Sequence, residues 1–120
     1  MVDPKPPQPA GGRGADLVPF KPPRPWLQKR IREIAKNTDN ITWGSHAFDR
    51  SDERDITDTD ALTILRTGQL DDQIEQGESL GEWKGKMTKV LRGRREAGVV
   101  VIVIKDAELF VKTVEWEDLR

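Results

Sequence analysis

The chain has 120 residues, 35% of them hydrophobic and 34% charged, with a net charge of −1. That length allows one domain, and a near-neutral total argues against generic polyanion binding. It contains no cysteine, which excludes disulfides and thiolate metal sites and fits a reducing compartment.

All eight prolines fall within the first 25 residues, MVDPKPPQPAGGRGADLVPFKPPRP. This composition buries too little surface to offset its ordering entropy, so residues 1–25 read as a disordered or polyproline-like arm. The folded domain is expected over residues 26–120. No apolar run approaches the ~20 residues of a membrane span. The start of the chain lacks the apolar stretch of a secretory signal, so a cytoplasmic location is the expectation.

In WLQKRIREIAKN (26–37), Leu27, Ile31, Ile34 and Ala35 form the apolar stripe of an amphipathic helix. Pro25 sits where a helix can start. NTDN ends it, and ITW (41–43) is a short strand or extended segment. Ser45 is a candidate N-cap for a helix over residues 46–54. Ile56 is expected to tuck under the core. Thr57 and Asp60 have the spacing of a capping box. Ala61, Leu62, Ile64 and Leu65 mark the buried side of the next helix, which Gly68 is expected to end as a left-handed C-cap.

Leu70 and Ile74 are candidates to start a first strand. From Trp83 the chain is extended and basic, GRREAG (93–98) reads as a turn, and VVVIVIK (99–105) is a β-branched central strand. After a turn at 106–108, LFVKTVEW (109–116) is the last strand. Helices followed by a meander predict an α+β fold: N-terminal helices on one face of a three- or four-stranded antiparallel sheet.

Charge is unevenly distributed. Residues 57–82 hold one arginine against seven acids, a net of −6, while residues 83–95 hold six basic groups and no acid. The two segments either pair across the fold or leave a basic surface for phosphates.

The only histidine, His46, precedes Arg50 and Arg54 at four-residue spacing. On a helix these three share one face. Two readings account for the stripe. In one, Asp49, Asp52 and Glu53 pair with the arginines on a solvated face. In the other, the stripe meets an RNA phosphate. Histidine then takes or gives the proton, and Arg50 and Arg54 hold the scissile phosphate with planar donor forks. Lys84, Lys86 and Arg92 would track the backbone, and Thr113 is a further phosphate donor or an ordinary strand residue. Spacing selects neither Lys89 nor Glu115 as a second proton-transfer group. Trp83 and Trp116 are base-stacking platforms or core residues. One histidine without cysteine does not compose a usual zinc site, and no metal or cofactor is expected.

The pattern H-A-x-x-R-x-x-x-R-x-I, followed by a capped helix ending in Gly and a sheet closing on T-V, resembles a bacterial family of small uncharacterised domains. That family is placed near the RelE-like toxins of the barnase–EndoU–colicin–RelE ribonuclease group. The matching residues are His46, Ala47, Arg50, Arg54, Ile56, Gly68, Thr113 and Val114, within residues 41–118. The resemblance implies a RelE-like fold and an RNA-directed domain, a metal-independent ribonuclease toxin or a descendant of one. RNA or a cognate antitoxin would be its partner. The alternative is a non-catalytic module binding protein or nucleic acid on the same scaffold. Asp55 stands where the family has Gly, and Trp116 where it has Tyr. The chain has no tyrosine, so no tyrosine role carries over.

Overall fold

A computed structural model describes residues 21–49, 56–93 and 95–117. The expected arm therefore lies outside the described residues up to position 20. Helix α1, Arg24–Ile34, starts two residues before the expected domain boundary. Pro25 occupies its first turn, where a missing N–H costs nothing. Leu27, Ile31 and Ile34 are its buried stripe, as the spacing predicts. It ends three residues early, and a single 3₁₀ turn, Thr38–Asn40, leads into strand β1, Ile41–Trp43.

Helix α2, Asp58–Thr67, starts on the expected capping box. Thr57 Oγ1 accepts from the Asp60 N–H, and Asp60 Oδ2 accepts from the Thr57 N–H, each at 3.1 Å. Ile56, Ala61, Ile64 and Leu65 are buried. Gly68 ends the helix, but not in the left-handed conformation: its backbone is extended, at φ −78° and ψ −175°. The requirement for glycine is steric. A Cβ there would lie 2.6 Å from both the Ile64 and Thr88 carbonyl oxygens.

The helices cap each other. Arg32 of α1 donates to the Gly68 and Thr67 carbonyls at the end of α2. Arg66 of α2 donates to the Ala35 carbonyl at the end of α1, at 2.8 Å. Each guanidinium thus satisfies carbonyls that its neighbour's last turn leaves unpaired.

The sheet differs from the expected three or four antiparallel strands. It has six among the described residues, in the order β1-β6-β5-β4-β2, with β3 also on β4. Strands β2 (Gln69–Leu70) and β3 (Glu75–Gln76) cover one edge of β4 (Trp83–Leu91). Strand β5, Arg95–Ile104, is central, and β6, Glu108–Trp116, follows it. The sheet is mixed because β1 runs parallel to β6. Two- and three-residue strands are too short to show a period in the sequence. The expected turn at 93–98 is confined to the positions around Arg92 and Gly93, both at positive φ. Ala97 and Gly98 lie within the sheet, paired with Lys89 and Thr88.

Both helices pack on one face of the sheet. There Met87, Val99, Val101, Val103, Leu109, Val111 and Val114 join the helical stripes in one core. Fully burying a side chain of this size contributes ~1.5–3 kcal/mol, so this face holds the fold together. Lys84, Lys86, Val100, Ile102, Phe110 and Thr113 alternate onto the opposite face.

Candidate functional site

The site is built on a fault in β6. Val100 pairs with Thr113 but Val101 pairs with Val111, so Lys112 has no partner on β5. This is a β-bulge, which re-aims side chains locally. Lys112 and Thr113 both come to the outer side, between the buried Val111 and Val114.

The segment after β1 closes over the bulge. The Gly44 N–H donates to the Val111 carbonyl at 2.8 Å, and the Val114 N–H donates to the Ala47 carbonyl at 2.6 Å. Ala47 is buried, and Phe48 stacks on Trp43 with ring centroids 5.7 Å apart. A Cβ at Gly44 would lie 2.9 Å from the Val111 oxygen and 3.0 Å from the Phe110 ring. Glycine lets the chain press against the bulge.

The described part of the expected helix over 46–54 is instead a pair of tight turns. The Ala47 N–H bonds to Gly44, and the Asp49 N–H to His46. The Ala47 carbonyl, which a helix would offer to residue 51, is taken by β6. Ser45 therefore caps no helix among the described residues, and the expected stacking of His46 with Arg50 and Arg54 falls on positions beyond them. Arg50 and Arg54 lie outside the described residues.

The result is an open groove of about 510 Å³ lined by Gly44, Ser45, His46, Asp49, Phe110, Lys112 and Thr113. His46 Nδ1 lies 2.8 Å from Asp49 Oδ2. The two side chains are 83% and 64% exposed, and exposed pairs contribute only ~0–1 kcal/mol. The contact therefore serves chiefly to orient the ring. It leaves Nε2 without a partner among the described residues. Lys112 is likewise without a carboxylate partner among the described residues.

Among the described residues, only Thr113 of the expected phosphate contacts joins His46. Lys84 pairs with Glu75 at 3.3 Å. Lys86 pairs with Glu117 at 2.9 Å and Glu115 at 3.5 Å. Burial alone would push the Lys86 ammonium down, but Glu117 and Glu115 outweigh it and hold it above its usual range. Arg92 sits on the helical side, bonded to Asp60 at 2.7 Å. Burial would push the Asp60 carboxyl up; the Thr57 N–H and the Arg92 guanidinium hold it below the usual carboxylate range. The acidic and basic segments thus meet in two of these contacts, Lys84 with Glu75 and Arg92 with Asp60, while the acids on Lys86 come from the end of β6 and the residue after it. Trp116 is 3% exposed with Arg95 over its ring, a core residue and no stacking platform. Trp83 is half-buried against the core. Glu115 is engaged by Lys86, and Lys89 pairs with Ala97 away from the groove.

The sequence reading missed Lys112 and the groove role of Ser45. A signal existed for Lys112. Two polar residues in succession, Lys112 and Thr113, separate Val111 from Val114, which breaks the strand's two-residue alternation.

Among the described residues no group of three or more His, Cys, Asp or Glu is placed to hold a metal ion. No described helix is long and apolar enough to cross a membrane. Comparison with known proteins gives no match: no family model matches the chain, and neither a curated protein nor a solved structure does.

Proposed function

We propose that this is an RNA-directed, RelE-like domain that engages a phosphodiester in the bulge groove and cleaves it without a metal. The observation that carries the reading is the convergence of His46, Lys112, Thr113 and Ser45 on one groove, with His46 Nδ1 held by Asp49. A base oriented by a carboxylate through one ring nitrogen presents the other to substrate. His46 Nε2 takes the proton of a ribose 2′-hydroxyl. The 2′-oxygen forms a bond to phosphorus as the bond to the 5′-oxygen breaks; the 5′-oxygen leaves as a hydroxyl, taking its proton from solvent water in the open groove, and a 2′,3′-cyclic phosphate remains. The Lys112 ammonium faces the charge that develops on the non-bridging oxygens. The Thr113 and Ser45 hydroxyls donate to the same oxygens.

The test is purified protein with single-stranded RNA in excess EDTA, scored for cyclic-phosphate ends. His46→Ala should lower the cleavage rate by ~10²–10⁴-fold, the usual contribution of a positioned proton-transfer group. Unchanged cleavage in that variant removes His46 from the mechanism. A second reading, a binding module without cleavage, is favoured by the pairing of Lys84, Lys86 and Arg92 with carboxylates, which leaves few cations to track a backbone. It predicts RNA or antitoxin-like protein binding with no cyclic phosphate formed.

A further inference from the structure

Single-stranded RNA is held by its bases as well as its phosphates, and the tryptophans expected to stack those bases lie elsewhere. Trp116 is buried, and Trp83 faces the helical side of the sheet, in register with the buried Val103. Trp43 is stacked on Phe48 and packed against the core. Trp26 lies on α1 and lines a separate groove beside Trp83. Among the described aromatic residues, Phe110 alone lines the bulge groove.

The pleat of β6 places this ring. Leu109 and Val111 on either side of it are buried in the core, so Phe110 stands on the outer face. There it is half-buried, opposite Ile102 of β5 and Thr42 of β1. Gly44 fixes one end of the ring: a Cβ there would lie 3.0 Å from Phe110 Cζ and 3.4 Å from Cε2. The described helices pack on the other face of the sheet, so neither covers the ring.

A half-exposed phenyl ring is costly to leave in water. Here it is the one large apolar side chain in a groove otherwise lined by glycine and polar groups. Lys112 stands two residues further along β6, about 6–7 Å on an extended chain. It has no carboxylate partner among the described residues. A ring and a cation at that spacing match a nucleotide, whose base and phosphate are separated by one ribose. We infer that Phe110 is the base platform of the bulge groove, stacking a nucleobase of single-stranded RNA while Lys112 holds the adjoining phosphate. This rests on the RNA-directed reading of the groove and adds how the groove selects a nucleotide over a bare phosphate chain. Stacking uses the π-face that every base has, so the site tolerates any base and rejects a backbone without bases. Ile102, apolar and half-buried beside the ring, extends the platform toward β5.

The test uses the full chain and two probes of equal length and charge: a 2′-O-methyl uridine trinucleotide, and the same backbone without bases. Binding is followed by NMR titration. Wild type should bind the base-bearing probe roughly 5- to 150-fold more tightly, the range of one stacked base. Phe110→Leu keeps an apolar side chain against Gly44 but removes the π-face, and it should bind the two probes alike. In the wild type itself, the base-bearing probe should move the Phe110 ring protons upfield through the ring current of the base, and the abasic probe should not; this readout needs no variant. Equal affinity of the wild type for both probes, a wild-type preference kept by Phe110→Leu, or no upfield shift overturns the platform while leaving phosphate binding in the groove intact. Failure of both probes to move the His46 Hε1 resonance overturns the RNA-directed reading, and the platform with it.

Discussion

Lys112 differs from the other lysines of the outer sheet face in one physical respect. Lys84 and Lys86 are each held by carboxylates across the sheet, and Lys112 has no carboxylate partner among the described residues. Only an unpaired cation releases counterions on binding a phosphate. Single-stranded RNA binding should therefore lose ~0.7 of its log–log salt slope in Lys112→Met, measured by fluorescence anisotropy across salt concentrations. Lys84→Met should leave the slope in place. Asp49 is the complementary case. Its exposed pair with His46 adds little stability, so Asp49→Ala should leave the melting temperature nearly unchanged while slowing cleavage. A large loss of stability in that variant would contradict the orienting role. Two further residues give opposite pH signatures. Asp60 has a lowered folded-state pKa, so its contribution is present above the ordinary carboxylate range and is lost as pH falls through the folded value. Lys86 has a raised one, so its contribution is present below the ordinary lysine range and is lost as pH rises through the folded value. In urea denaturation across pH, Asp60→Asn should flatten the acid limb and Lys86→Met the alkaline limb.

At the scale of elements, α2 is defined at both ends by polar contacts of known kind. Removal of the cap hydroxyl in Thr57→Ala should cost ~1 kcal/mol. The crossed arginines are a non-local counterpart. Arg32→Met or Arg66→Met each strips a charged donor from the other helix's last carbonyls and should cost ~1.5–3 kcal/mol in chemical denaturation. The cap was legible because its partners are three residues apart. The arginine contacts were not, because their partners lie more than 30 residues away and no local period marks them. Residues 46–49, expected to begin a helix, form turns instead. Ala47, whose carbonyl accepts from the Val114 N–H, and Phe48, stacked on Trp43, are tied to the sheet there, and no local period marks those contacts. Gly44 is the hinge of that turn. Gly44→Ala forces a methyl against the Val111 oxygen and should cost ~1–3 kcal/mol, in the range of overpacking.

The whole molecule divides by faces. One face of the sheet carries the helices and the core, and that half of the fold was readable from the amphipathic stripe of α1, the capped α2 and the continuous β-branched run of β5. The mixed topology was not readable, since β1 reaches β6 across most of the chain and pairs through only three residues. The other face carries the groove chemistry, and there the block charges of the sequence proved a poor guide. The basic stretch 83–95 and the acids around it largely satisfy one another, while the site forms where β6 loses register. His46 was legible as a candidate because it is the only imidazole in the chain, and its partnership with Lys112 depends on a bulge that only the pairing of strands displays.

Because there is one histidine, its imidazole gives a single Hε1 resonance that reports directly on the bulge groove. The most direct measurement is a titration of the full chain with a short single-stranded RNA carrying a 2′-O-methyl group at every ribose, so that no free 2′-hydroxyl remains to attack. The account predicts saturable shifts of His46 Hε1 and of the Lys112 side chain, with the Lys84 and Lys86 side chains unmoved. A titration that moves Lys84 and Lys86 and leaves His46 in place would contradict it.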